Sequence, residues 1–384
     1  MVSTSSAADP VRLLQDLIRC ASVTPNEAGV FDVLEQALAP LGFTVTRLRF
    51  EGNGSYPVDN LFATRPGAGP HLLFNGHTDV VPAGEGSLWR HDPFGAEIVD
   101  GIVYGRGAAD MKSGIAAFVS ALPEAPAGAH ISLALTNDEE ADGINGTSRI
   151  MEWAAAEGHR FDFALVGEPS ATARVGDAIK IGRRGSLSGR IVVQGVQGHV
   201  AYPQKARNPL PVAANLVQAL SGELDGGSAH FPASNLEFTS FDVGNPVTNV
   251  IPAIATLRFN VRFNDRWTPE SLEAFIREAI ERQDNRDTRV SFEIVGTPSR
   301  SFLSAPGGGV KILAETIADL TGSPPEMSTG GGTSDARFIA PYCQVVECGL
   351  PGPTMHKTDE CVPVRDLLAL TALYSAFLRR YFAE

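Results

Sequence analysis

His77 and Asp79 stand two residues apart in Asn75-Gly76-His77-Thr78-Asp79, directly after the apolar run Leu72-Leu73-Phe74. A run of that length and bounding reads as a buried strand. On extended backbone, residues two apart face the same side. The Asp79 carboxylate is thus placed to accept a hydrogen bond from one imidazole nitrogen of His77 while the other nitrogen faces a metal ion. A second carboxylate follows in Gly105-Arg106-Gly107-Ala108-Ala109-Asp110, where Asp110 sits just ahead of a small-residue helix expected from about Ser113 to Leu122. Taken singly, a histidine after a strand is most often structural, and an aspartate before a helix is most often a cap. Further candidates in the same setting shift that balance.

Ile131–Thr136 alternates apolar and polar residues, as a strand with one buried face does, and ends in Asn137-Asp138-Glu139-Glu140. Four neighbouring amide and acid side chains make either a solvated acidic loop or a cation site. Phe161–Val166 reads as a strand running into Gly167-Glu168-Pro169. The strand Gln344–Glu347 precedes a Gly/Pro loop and Thr354-Met355-His356-Lys357-Thr358-Asp359-Glu360. Five separate loops thus carry His77, Asp110, the Glu139/Glu140 pair, Glu168 and His356. In open α/β sheets ligands gather at the carboxyl ends of strands, and a single cluster accounts for all five.

The elements that must position them follow a mixed helix and strand pattern suited to a layered α/β sheet. Asp9-Pro10 followed by Val11, Leu14, Leu17 and Ile18 gives an N-cap, a proline at the first helical position and an apolar stripe. A second helix is expected from about Val30 to Leu41, stopped by Gly42, then strands at Phe43–Phe50 and Asn60–Thr64, and a closing helix from about Val364 to Arg380. Between these parts lies a segment of different character. Strands are expected at Leu187–Val193, Leu236–Asp242, Ala255–Phe263 and Arg289–Ile294, with helices at Pro209–Leu220 and Pro269–Arg282. This is a compact α+β insert, which makes the first domain discontinuous.

Composition narrows the function classes. The 384 residues carry a formal charge of −13, which argues against a nucleic-acid binder, since phosphate contact needs a basic face. No stretch approaches the roughly 18 apolar residues of a membrane span, and residues 1–8 do not resemble a signal peptide. The expectation is a cytoplasmic protein that contacts neither nucleic acid nor membrane. Cys20, Cys343, Cys348 and Cys361 lack zinc-finger spacing and read as buried thiols. The run Gly330–Gly332 before Thr333 lacks the lysine of a phosphate loop and reads as a tight turn presenting Thr333. His71, His91, His130, His159 and His230 have no motif context and read as surface residues.

The strings GHTDVVPAGE, YGRGAADMKSG, TNDEEADGINGT, LVGEPS, GRRGSLSG, GVQGHVAYP, NVIP, GGTSDARF and MHKTDECV run in this order from about residue 72 to 363. Together they resemble the metallopeptidase M20 family, and within it the members that act on N-succinyl-L,L-diaminopimelate. The resemblance implies an α/β fold, with a mixed-sheet zinc-peptidase catalytic domain at residues 1–180 and 296–384. Inserted in it, at 181–295, would be an α+β, ferredoxin-like lid and dimerisation domain. It implies a homodimer formed through that lid, and a cis peptide after Asp110.

By the same resemblance, His77, Asp110 and Glu168 hold one zinc, while Glu140, His356 and the shared Asp110 hold a second. That makes two Zn2+ per subunit, with Co2+ able to occupy one site. Glu139 is then the general base, Asp79 the partner of His77, and His199 the residue that a partner subunit's lid adds to the active site. Three carboxylate charges against four positive charges leave the ion pair electrophilic, able to acidify water and polarise an amide oxygen. Glu139 would take the proton of the attacking water and pass it to the departing amine, and His199 would donate to the oxyanion.

A substrate with three carboxylates calls for cationic groups, and arginine suits bidentate carboxylate recognition. Lys180, Arg183, Arg184 and Arg262 fall in segments similar to the family's substrate-side elements, with Ser186, Tyr202, Asn249 and Thr333 as neutral hydrogen-bonding groups. The choice between Arg183 and Arg184 stays open. The expected reaction is hydrolysis of N-succinyl-L,L-2,6-diaminopimelate to succinate and L,L-2,6-diaminopimelate. The alternative is another deacylase of the family, such as acetylornithine deacetylase or an aminoacylase, which shares the metal ligands and differs in the pocket. A non-catalytic protein retaining the fold would show decay at a ligand or at the base, and all five ligands and Glu139 are present.

Overall fold

The computed structural model describes residues 9–383, so the reading of residues 1–8 lies outside it. The chain forms two compact units. The first comprises the described residues up to Gly182 together with Leu303–Ser328 and the stretch from Ser334 onward. The second comprises Arg183–Phe302 and Thr329–Thr333.

The first unit is built on an eight-stranded sheet, in the order Thr44–Gly52, Ser55–Arg65, Ala129–Thr136, Ala68–His77, Phe163–Val166, Gln344–Glu347, Ala178–Lys180, Glu326–Ser328. The four central strands, from Ala129–Thr136 to Gln344–Glu347, run parallel. Their register places His77 opposite Thr136, and Val166 opposite both Asn75 and Glu347. Four of the expected loops therefore leave the same end of the sheet, those carrying His77, the Glu139/Glu140 pair, Glu168 and His356. The Ala129–Thr136 strand lies inside the sheet and is buried on both faces rather than one. Its polar Ser132 is accommodated by bonding to His71 and Thr64.

Local chemistry explains the helices around this sheet. Asp9 caps the helix Pro10–Arg19 by accepting from the amides of Val11 and Arg12. The helix Ser113–Ala121 is buried along its whole length and packs on Pro10–Arg19 and on Val364–Tyr381, and its small residues are what permit this. At Gly114 a Cβ would lie 2.2 Å from the Gly167 carbonyl oxygen, so only glycine lets this helix start approach the strand end that leads to Glu168.

The second unit is a five-stranded antiparallel sheet, ordered Gly222–Glu223, Asn235–Asp242, Ile254–Phe263, Gly185–Gln194, Arg289–Ser299. The helices Leu210–Leu220 and Pro269–Glu281 share with it a separate apolar core that includes Leu187, Ile191, Leu216, Leu257, Phe259 and Ile276. The last strand runs to Ser299, beyond the Ile294 expected from its alternation. No helix among the described residues is long and apolar enough to cross a membrane.

Candidate metal centre

His77 is the last residue of its strand, and Glu139 and Glu140 follow the neighbouring strand after two residues. Glu168 follows Phe163–Val166. Asp110 comes from the turn ahead of the buried helix, where its backbone is extended, Met111 after it is also non-helical, and the Asp110–Met111 peptide is cis. His356 arrives from the loop after Gln344–Glu347 with a left-handed backbone, φ 60°.

These side chains meet. His77 Nε2 lies 3.0 Å from Asp110 Oδ1 and 3.6 Å from Glu168 Oε1. His356 Nε2 lies 2.9 Å from Glu140 Oε1 and 3.4 Å from Asp110 Oδ2. The two oxygens of Asp110 thus face two different imidazoles. Donors at 2.0–2.2 Å from a tetrahedral zinc are separated from one another by roughly 3.3–3.6 Å, and the observed spacings are close to that edge. Ligand atoms of His77, Glu139 and Glu168 lie within 4.8 Å of one another, as do those of His77, Asp110 and Glu140. Asp110 stands between the two imidazoles, and the donor types are of the kind that suits divalent cations.

The electrostatics fit as well. Burial pushes the Glu139 carboxyl up to about 8, with His77 opposing and Asp335, Glu140 and Asp110 adding to the rise. Burial also raises Glu168 well above the ordinary carboxylate range, helped by Asp110. Burial disfavours a charged His77, but Asp110, Glu168 and Asp79 hold its pKa well above the usual value. Hydrogen bonds that His356 donates to Asp110 and Glu140 lift its pKa to about 10. Protons here do what cations would do, offsetting carboxylates crowded into a low-dielectric site.

The profile of peptidase family M20/M25/M40 matches residues 73–380. The chain belongs to this family. A protein of Rhodopseudomonas palustris named succinyl-diaminopimelate desuccinylase is 51% identical over 391 residues, covering 100% of both chains. Among solved structures, an aminopeptidase from Bacillus cereus superposes with a TM-score of 0.80 at 20% identity, covering 98% of this chain and 100% of that one. A Bacillus subtilis protein described as a dinuclear metal-binding peptidase of the M20 family gives 0.69 at 15% identity, with 97% of each chain covered.

Two histidine environments in this M20 chain differ from the sequence reading, and of the four cysteines expected as buried thiols only Cys348 is fully buried. The nearest partner of His77 Nδ1 is the backbone carbonyl of Asp79, at 2.9 Å, while the Asp79 carboxylate lies at 3.7 Å. The strand ends at His77, so the alternation of extended backbone does not carry to residue 79. The Asp79 carboxylate instead accepts from the amides of Glu139 and Glu140 and from the Thr24 hydroxyl, and so fixes the paired glutamates. His71 is the second difference, because it is buried rather than on the surface. It bonds to Arg160 and Ser132 and stacks on His130, and burial lowers its pKa to about 4.

Buried carboxylates to which the sequence reading gave no role also stand near the M20 site. Asp335 is buried and accepts from Thr147, 2.6 Å away. Glu360 is buried against the loop that delivers Asp110. In sequence Glu360 passes as the end of an exposed acidic pair. The readable signal was Arg106, a charge inside an otherwise small-residue loop that needs a partner.

Of the other candidate residues, Lys180 belongs to the first unit and its Nζ donates to Ser328. Arg183, Arg184, Ser186, His199, Tyr202, Asn249, Arg262 and Thr333 belong to the second. There Arg183 is buried and donates to the Gly330 carbonyl, while Arg184 donates to Ala233 and Asn235. Ser186 is paired across the sheet with Arg262. His199 is exposed on a short strand paired with Val250–Ile251, and Val200 N donates to the carbonyl of Asn249.

Proposed function

We propose that the chain is a metal-dependent amidohydrolase that converts N-succinyl-L,L-2,6-diaminopimelate and water to succinate and L,L-2,6-diaminopimelate. The observation that carries the hydrolase reading is Asp110, whose two carboxylate oxygens face His77 and His356 separately. The substrate rests on full-length relatives about half identical in sequence and named for that reaction.

His77, Asp110 and Glu168 would hold one ion and Asp110, Glu140 and His356 the other, zinc in both or cobalt in one. The bound ions would supply Lewis acidity toward water and the amide oxygen. Glu139 accepts the proton of the attacking water as its oxygen bonds to the carbonyl carbon. It then delivers that proton to the nitrogen as the C–N bond breaks. Asp79 holds the Glu139 and Glu140 backbone, and its own carbonyl fixes the His77 tautomer.

The inserted segment, taken as 181–295, is the lid and dimerisation domain on this reading, with residues 1–180 and 296–384 forming the catalytic domain. Exposed Val196, Val200, Tyr202, Val247 and Ile254 in that segment support an interface between two copies. His199 then serves the partner subunit's site as an oxyanion donor. Lys180, Arg183, Arg184, Ser186, Tyr202, Asn249, Arg262 and Thr333 bind the substrate's carboxylates and amide, and the enzyme works in the cytoplasm. Parallel rate measurements on N-succinyl-L,L-diaminopimelate and N-acetyl-L-ornithine, with and without a chelator, test the reading. Chelator-sensitive turnover of the succinyl compound is expected, and preference for the acetyl compound would reassign the substrate.

A further inference from the structure

Glu360 has no solvent exposure, less than Asp110 or Glu168. Its Oε1 accepts from the amides of Ala109 at 2.8 Å and Asp110 at 3.1 Å, and its Oε2 from the Gly107 amide at 3.1 Å and Arg106 Nη1 at 2.8 Å. Arg106, also buried, reaches the Lys357 carbonyl and stacks over Trp89. One neutral, fully enclosed ion pair therefore ties the loop that ends in Asp110 to the loop that carries His356. Neighbouring Asp359 reinforces the second loop by accepting from Arg90. His77 and Glu168 do not depend on this tie, because one closes a central strand and the other follows one.

We propose that Glu360 is a positioning residue for one half of the metal centre. By gripping three amides of the Asp110 loop from the His356 loop, it sets the distance between Asp110 and His356. It thereby sets the affinity of the ion these two would hold with Glu140. This inference rests on the two-ion reading above. Partners that orient metal ligands in this way typically govern metal affinity by about 10–100-fold.

The test is titration of metal-free, full-length protein with Co2+, followed by calorimetry and by visible absorption. Wild type should bind two ions, and fewer than two would overturn the two-ion reading itself. Glu360→Gln retains one oxygen for the Ala109 and Asp110 amides but leaves Arg106 without a counter-charge. The double variant Arg106→Met/Glu360→Met removes both charges together, so it tests the same point where the single variant fails to fold. It should bind one ion within about threefold of wild type and the other about 10–100-fold more weakly, with the absorption of the weak site altered. Glu360→Gln, where folded, should fall between. Two ions held with wild-type affinity by the double variant, or both weakened alike, would overturn the proposal.

Discussion

Substituting Asp79 with asparagine separates two roles that a carboxylate beside a metal-binding histidine can have. The Thr24 hydroxyl at 2.7 Å, the Glu140 amide at 3.0 Å and the Glu139 amide at 3.1 Å converge on Oδ2, while Oδ1 lies 3.2 Å from the Glu139 amide. Asparagine can keep its oxygen at the Oδ2 position, but it loses the charge and turns a second donor toward the Glu139 amide. A hydrogen bond to a charged group contributes about 1.5–3 kcal/mol, so the loss corresponds to about 10- to 150-fold in the function of the Glu139–Glu140 turn. The His77 tautomer should survive, because the Nδ1 proton goes to the residue 79 carbonyl, which no side-chain change removes. The assay pairs steady-state kinetics with calorimetric metal titration of Asp79→Asn. Expected are a kcat lowered within that range, a weakened Glu140-side ion and an unchanged His77-side ion. Selective loss of the His77-side ion would refute the assignment of Asp79 to the glutamate turn.

Other outcomes follow from the same geometry. Glu139→Gln should retain both ions and lower kcat by about 10²–10⁴-fold, as expected for loss of a general base; metal analysis and kinetics check both halves. Chelation should abolish turnover and lower the melting temperature, because the cations bind the folded carboxylate cluster, and readdition of Zn2+ or Co2+ should restore both. His71 has its pKa lowered by burial to about 4, so its contribution to stability is fully present above the ordinary histidine value near 6.5 and is lost as pH falls from there toward 4. The loss is roughly 3 kcal/mol for a shift of this size, and denaturant unfolding across that range should show His71→Gln with the correspondingly flatter profile. Gly114→Ala should destabilise the fold and weaken the Glu168-side ion, since the new methyl would meet the Gly167 carbonyl; thermal melts and metal titration report the two effects.

The elements with a local signature were readable from the sequence. Asp9 announces the first helix, Gly42 with a left-handed backbone closes the 3₁₀ turn Ala39–Leu41 that follows the second helix at Leu38, and Pro269 opens the helix on the insert. The helices Thr147–Ala156 and Gly308–Thr321 were not anticipated. Each begins after a glycine with no capping side chain, so packing rather than local sequence starts them. The five loops carrying His77, Asp110, Glu139 with Glu140, Glu168 and His356 stood out because each follows a strand or opens a helix and carries an acid or an imidazole. Four of these loops leave one end of the sheet because their strands are parallel and in register, a nonlocal fact. The Asp79 carbonyl, Thr24, Glu360 and Asp335 were not legible, since backbone acceptors leave no trace in residue type and buried carboxylates look like exposed ones until their partners fold around them.

The central claim is that two cations share Asp110. Crystals of the metal-loaded protein, measured with X-rays at the absorption edge of the bound ion, test it most directly. Two anomalous peaks are expected roughly 3.5–4 Å apart, one beside His77 and Glu168, the other beside Glu140 and His356, with an Asp110 oxygen on each. A single peak, or two peaks that do not share Asp110, would contradict it.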